Sequence, residues 1–255
     1  MKFGSNFAFN RIQSQIYDYE ESATREGVGI KTIVLLTTAL VTALVFINFI
    51  IRMETIPVFL YIIAGISTFV LQLIMAFSPT SAKKLSIPYA ISEGLVIGCL
   101  CGLLELALPN MGLQLAGIAL LITLSIFVGA AFLYYKGYIE VNHKFRSFLY
   151  TILVGSLVFS LGFGILALVT YFTNGTNLYY FFYNSWIGIA LSAFMCVMAA
   201  MYVVYSFDIA EGVIAAGANK DMEWYASYAI TLNVIYLFIE VLRLVLIVAS
   251  KVRKD

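Results

Sequence analysis

Residues 33–51 read IVLLTTALVTALVFINFII and contain no charged side chain. Because an α-helix rises about 1.5 Å per residue, about 20 apolar residues are enough to cross the roughly 30 Å hydrocarbon core of a bilayer. The stretch is too long for the core of a signal peptide, and it lacks a small-residue cleavage site. It therefore predicts a transmembrane helix that is not cleaved from the chain.

Six more apolar stretches of similar length follow along the chain. The seven predicted spans are residues 33–51, 56–77, 87–108, 111–135, 148–171, 185–207 and 226–249. The strands of a transmembrane barrel would alternate apolar and polar residues, and these stretches do not alternate. We therefore predict an all-α integral membrane protein, a seven-transmembrane-helix bundle.

The composition excludes several classes of protein. Of the 255 residues, 62% are hydrophobic and 11% are charged, whereas soluble domains average about 45–50% and about 25%. Since the net charge is +1, there is no broad basic surface for nucleic acid, and we expect the lipid bilayer as the surrounding partner instead. The three cysteines lie in apolar stretches and match neither a disulfide framework nor a zinc pattern.

The basic residues that flank the spans predict the orientation. Ten of them lie on the side of the N-terminus and four on the opposite side, and the side richer in lysine and arginine faces the cytoplasm. We expect a cytoplasmic N-terminal segment at residues 1–32, a seven-helix transmembrane domain at residues 33–249, and a short C-terminal tail outside at residues 250–255.

Few charged side chains lie inside the spans, and they are the candidates for function because a charge in a bilayer is costly. The third span contains Glu93 and Glu105, the sixth ends beside Asp208, and the seventh contains Glu240 and Arg243. Glu240 and Arg243 are three residues apart on one helix face, so they can form an ion pair, which is more often structural than functional. Glu105 is a possible second partner of Arg243, because helix rise places both towards the outer side.

Three polar residues are expected near the cytoplasmic face. Helix rise places Glu93 about 9 Å and Asn233 about 10 Å inside that face, while Asp208 lies at the cytoplasmic mouth of the bundle. Glu93 has no obvious partner in its own helix, so it is either protonated or paired across helices. We therefore regard Glu93 as the strongest single candidate. Asn233 also belongs to the polar stripe of the seventh span, which predicts that this helix is buried.

Small residues predict close helix packing. Gly94, Gly98 and Gly102 form a row with a spacing of four residues on the third span. We expect Gly155, Gly162 and Gly164 on the fifth span to pack in the same way.

No pattern of catalytic residues is present. The single histidine, His143, has no second histidine for a zinc motif, and no G-x-S-x-G motif occurs. An aspartyl intramembrane protease needs two facing aspartates, and Asp208 is the only aspartate near a span. We expect no enzymatic activity and no cofactor.

Several motifs resemble a known family. Residues 205–213 (YSFDIAEGV), 217–218 (GA), 222–226 (MEWYA) and 237–244 (LFIEVLRL) look like the C-terminal signature of the Bax inhibitor-1 family. Residues 88–98 (PYAISEGLVIG) are similar to the third-helix pattern of a bacterial branch of that family. The resemblance implies a seven-helix bundle with a central last helix, in a bacterial cytoplasmic membrane.

The resemblance also implies an activity. Members of the family are associated with a passive, pH-sensitive calcium leak, attributed to two hydrogen-bonded aspartates near the cytoplasmic mouth. The first aspartate corresponds to Asp208, but Asn233 stands at the place of the second. An aspartate beside an asparagine lacks the shared proton of two close carboxylates. The chain therefore departs from the family at its pH sensor, and Glu93 or Glu240 could supply the second carboxylate.

We therefore expect an ion-leak channel that is permeable to calcium and sensitive to protons. Asp208, Asn233, Glu93, Glu240 and Arg243 are expected to line or gate its path. The oxygens of Asp208, Asn233 and Glu93 are the predicted ligands of Ca²⁺, which favours carboxylate and amide oxygens.

The alternative is a non-conducting membrane regulator that binds a membrane quality-control protease or another partner. In that case the N-terminal segment or the loop between Asp208 and Tyr225 would bind the partner.

Overall fold

The protein is described by a computed structural model that covers residues 22–54, 58–174 and 186–252. Its α-helices, numbered here in chain order, are α1 Arg25–Met53, α2 Val58–Phe77, α3 Ala82–Ala107, α4 Gly112–Tyr135, α5 His143–Asn174, α6 Trp186–Ala215 and α7 Met222–Val252. All seven are long and apolar enough to cross a membrane. The predicted fold class is confirmed. Most of the expected N-terminal segment and the end of the C-terminal tail lie outside the described residues.

Helices α1 and α6 are longer than the apolar stretches that predict them. Helix α1 begins at Arg25 rather than at residue 33, and α6 continues to Ala215 beyond the predicted end at residue 207. Charged residues end an apolar stretch, but they do not interrupt the backbone hydrogen bonds of a helix. The loop expected between residues 208 and 225 is consequently only residues 216–221.

The end of α6 explains how this short connection turns. Gly217 has a φ of +60°, a conformation that glycine adopts without a Cβ penalty. Its N–H donates to the carbonyl of Ile214 at 2.9 Å, and the N–H of Ala218 donates to Val213 at 3.3 Å. These two bonds form a Schellman motif, which satisfies the last carbonyls of the helix.

The chain forms two compact units. The first consists of Met1–Gly117 with Ser206–Leu232, and the second of Ile118–Tyr205 with Asn233–Asp255. Helices α4, α6 and α7 contribute to both units.

In the first unit, α3 packs along α1 and also contacts α2. The glycine row of α3 faces α1, as predicted. A Cβ at Gly94 would come 2.5 Å from the carbonyl oxygen of Ala39, and a Cβ at Gly98 would come 2.8 Å from that of Ala43. Glycine is therefore required at both positions for the backbones to approach this closely.

The same expectation is wrong for Gly155 and Gly162 of α5. A Cβ at Gly155 or Gly162 would meet no atom within 4 Å. Most of the fifth span is exposed on the protein surface, so these glycines pack against no other described part of the chain. Spacing alone does not distinguish a packed glycine row from one that faces outward.

Candidate functional site

The candidate acid Glu93 lies in a polar cluster inside the first unit. Its Oε1 accepts a hydrogen bond from the hydroxyl of Tyr89 at 3.0 Å and another from Nε2 of Gln72 at 3.3 Å. Tyr89 is on the same helix one turn earlier, and Gln72 comes from α2. The Glu93 residue is 7% exposed and Tyr89 is fully buried. The cluster therefore joins α2 to α3 through a buried carboxyl group.

Aromatic and apolar residues enclose this cluster. The ring of Tyr228, from α7, meets the ring of Tyr89 edge to face with centroids 5.0 Å apart, an arrangement that aromatic pairs prefer. Met75 and Ala82 pack against the same two tyrosines and are fully buried. The surroundings of Glu93 are consequently apolar on the side of the two rings.

The partners of Glu93 in the described residues carry no positive charge. Its hydrogen-bond donors are a phenol and an amide, and the other titratable group that faces it is Tyr228. A buried carboxylate without a cation is costly in an apolar environment. Glu93 can therefore exchange a proton without breaking an ion pair. Pairing across helices, one of the two sequence-based interpretations, is present, although the partner is neutral.

A second buried acid, Glu240, is compensated. In the second unit, Nη1 of Arg243 lies 3.1 Å from Oε2 and 3.3 Å from Oε1 of Glu240. The Glu240 side chain is 3% exposed, whereas that of Arg243 is 42% exposed. Tyr236, one turn earlier, also hydrogen-bonds to Glu240. This arrangement has the geometry of a local structural ion pair along one helix.

Glu105 accepts hydrogen bonds from backbone N–H groups, whereas the sequence suggested Arg243 as its partner. Its two carboxylate oxygens accept the backbone N–H groups of Asn110 at 2.7 Å and Leu113 at 2.8 Å. These donors lie in the turn after α3 and in the first turn of α4, where N–H groups have no partner within the helix. Glu105 therefore caps the start of α4, a role for which a carboxylate is well suited.

Asp208 and Asn233 belong to different units. Asp208 lies near the end of α6 in the first unit. Asn233 is the first residue of α7 that belongs to the second unit. Both are half-buried. Glu93 and Asp208 share the first unit. The ligand set expected for Ca²⁺ stays a prediction. Among the described residues, no group of three or more His, Cys, Asp or Glu side chains is arranged to hold a metal ion.

Two members of the Glu93 cluster are absent from the list of sequence candidates. Tyr89 could have been found, because it precedes Glu93 by one helical turn and so lies on the same face. Gln72 is the only amide side chain of the second span. It carries no charge, so the cost of a charge in a bilayer does not point to it. The contact with Tyr228 had no sequence signal, since it depends on how α7 packs.

A family model described as Bax inhibitor 1 like matches residues 5–250 of the chain. No curated protein and no solved structure matched the chain.

Proposed function

We propose, since this chain belongs to the Bax inhibitor 1 like family of membrane proteins, that it conducts a passive calcium leak whose rate depends on pH. The observation that supports this proposal is the buried carboxyl of Glu93 with uncharged partners. Because Asn233 replaces the aspartate expected in the family's pattern, another carboxyl must supply the proton sensitivity. Glu93 fits that role better than Glu240, whose charge is compensated by Arg243.

The proposed mechanism depends on the charge of Glu93. When the carboxyl is ionised, its negative charge attracts cations in a region of low dielectric. When the carboxyl binds a proton, that attraction is lost, while the bonds from Tyr89 and Gln72 can persist. A change in pH then alters the permeability with little rearrangement of the cluster.

We assign the remaining sequence candidates as follows. Asp208 is proposed to attract cations at the cytoplasmic mouth, and Asn233 to offer an amide oxygen to the path. Carboxylate and amide oxygens are both ligands that Ca²⁺ favours. Glu240 and Arg243 are proposed to stabilise α7, because a neutral pair supplies no net charge to an ion path. Glu105 is proposed to cap α4.

The test is calcium flux into liposomes that contain the purified protein, measured between about pH 6 and pH 8. We expect the wild-type flux to change across this range and the Glu93→Gln variant to have a flat profile. Glu105→Gln is the matched control, because it also neutralises a glutamate of α3 but should keep the wild-type profile. Asp208→Asn should lower the flux at every pH.

Two results would contradict the proposal in different ways. Flux from Glu93→Gln with the wild-type pH profile would show that the sensor lies elsewhere. An absence of flux from all variants, despite correct folding in detergent, would favour the non-conducting regulator that binds a membrane protease.

A further inference from the structure

The first turn of α1 is capped by a residue from the other end of the chain. Thr24 is the N-cap of α1, and its hydroxyl oxygen accepts the N–H of Gly27 at 3.0 Å. The N–H of Thr24 donates to Oε1 of Glu223 at 2.8 Å, and the Thr24 hydroxyl lies 3.0 Å from the same oxygen. Glu223 is in the first turn of α7. The start of α1 is therefore bonded to the start of α7.

This arrangement is a capping box with its acid supplied by another helix. In an ordinary capping box, a Glu or Gln three residues after the N-cap accepts the N–H of the N-cap residue. Here that position is Gly27, and the carboxylate of Glu223 makes the bond instead. A Cβ at Gly27 would overlap the carboxylate of Glu223. The missing side chain of Gly27 thus provides the space that Glu223 occupies.

A half-buried cation, Lys31, compensates Glu223. The Nζ of Lys31 forms an ion pair with its carboxylate, and it lies 5.5 Å from the ring centroid of Trp224. The side chain of Glu223 is 1% exposed and that of Lys31 is 17% exposed. Because both charges are largely withdrawn from solvent, separating α1 from α7 would leave a carboxylate without its compensating partners.

Backbone and hydroxyl contacts extend the same interaction on both sides. The N–H of Ala23 donates to the carbonyl of Ala218 at 2.8 Å, and Ser22 forms an isolated antiparallel bridge with Asn219. The hydroxyl of Ser227 donates to the carbonyl of Val28 at 2.9 Å. The chain before α1 is therefore attached to the α6–α7 turn, residues 216–221.

The contact reaches the helix that carries Asp208. Arg25 forms an ion pair with Glu211 at 2.8 Å, and Glu211 lies three residues after Asp208 on the same face of α6. Val213, which is fully buried, packs with Ala23 in a small apolar cluster. Residues 22–31 thus contact the last turns of α6 as well as the first turn of α7.

We propose that residues 22–31 form a clasp that holds the α6–α7 turn, and that Glu223 is its positioning residue. While the clasp is closed, the end of α6 cannot move independently, so Asp208 keeps its place at the mouth. Release of the clasp frees that end of α6 and raises the calcium leak. The effect on flux rests on the proposed function, whereas the clasp itself does not.

The clasp is tested first without any measurement of flux. The pair Ser22→Cys with Asn219→Cys should form a disulfide, because bridged residues in antiparallel pairs have Cα atoms about 4.5–5.5 Å apart. Gly27→Ala alone should raise the equilibrium constant for opening about tenfold, the factor that corresponds to about 1.4 kcal/mol, and so speed hydrogen exchange of the Ala23 N–H, which is bonded to Ala218 in the clasp. Gly29→Ala is the matched control, since a Cβ there would meet no atom within 4 Å. Single-cysteine variants control for the native cysteines.

The second test measures calcium flux from the same double-cysteine protein before and after reduction. We expect the oxidised, locked form to leak less than the reduced form. This comparison uses no Gly27 variant, so it does not depend on how well such a variant folds. Equal exchange rates of the Ala23 N–H in Gly27→Ala and Gly29→Ala would overturn the capping role of Glu223. Equal, measurable flux in the oxidised and reduced forms would overturn control of the mouth by the clasp. If no variant conducts, the proposed function and control of the mouth both fail, and disulfide formation with the amide exchange rates decides whether the clasp exists.

Discussion

The regions around Glu93 and Glu240 each contain a buried carboxyl group, but they surround it with different partners. Both carboxyls are buried, with residue exposures of 7% and 2%, and both lie in apolar helices. Glu93 accepts hydrogen bonds from a tyrosine and a glutamine, whereas Glu240 is paired with Arg243. The difference teaches that burial alone does not identify a functional acid. The partners decide whether a buried carboxyl has a compensating cation beside it.

The largest expected effect is on the side of the ion pair. Replacing Arg243 with Leu removes the cation beside Glu240 and leaves an uncompensated buried carboxylate. We expect the free energy of unfolding to fall by about 3 kcal/mol, at the low end for a broken buried pair because Arg243 is 42% exposed. Denaturation in detergent measures this change.

Removing the acid as well should restore much of that loss. The double variant Glu240→Gln with Arg243→Leu has no buried charge left at the pair, so it should be more stable than Arg243→Leu alone. A single variant as stable as the wild type would show that the pair does not compensate Glu240.

Glu105 sharpens the comparison with a third form of compensation, by backbone N–H groups. Glu105→Ala removes the acceptor of two such groups at the start of α4. We expect a loss of about 1 kcal/mol in the free energy of unfolding, because water can replace part of these bonds at an exposed turn. Glu105→Gln should lose less, since its amide oxygen can still accept. Equal losses in the two variants would contradict the capping role.

The Glu93 side of the comparison predicts a small change in stability. Glu93→Gln keeps the shape of the side chain and an oxygen that accepts from Tyr89. We expect the free energy of unfolding to change by less than about 1 kcal/mol, measured under the conditions used for Arg243→Leu. A loss as large as that of Arg243→Leu would mean that Glu93 is held as a compensated charge.

The smallest expected effect concerns Asn233. Asn233→Asp restores the second aspartate of the family's pattern, and two coupled carboxylates titrate together. We expect a steeper dependence of calcium flux on pH than in the wild type, with little change in stability. Combining Asn233→Asp with Glu93→Gln separates the two sensors, because an aspartate pair should restore pH dependence without Glu93. A flat profile in that double variant would remove residue 233 from the gate.

The sequence by itself determined the fold class. Seven apolar stretches of sufficient length predict seven helices. In the bilayer core, where water is absent, a helix provides the hydrogen bonds of its backbone groups within one apolar stretch. The sequence also identified Glu93 and the Glu240–Arg243 pair, since a charge in an apolar helix is visible without knowledge of its neighbours. The pair has a spacing of three residues and was therefore predictable from helix geometry alone.

Only the tertiary structure decided what these residues contact. The neutral amide beside Glu93 comes from α2, and the carboxylate that caps α1 comes from Glu223, which is 199 residues from Thr24 along the chain. No local pattern encodes such partners, because the contact between two helices depends on how the faces of all their neighbours pack. For the same reason, spacing predicted the packed glycines of α3 correctly, but Gly155 and Gly162 of α5 wrongly. The periodicity of a helix fixes which residues share a face, whereas packing fixes what that face meets.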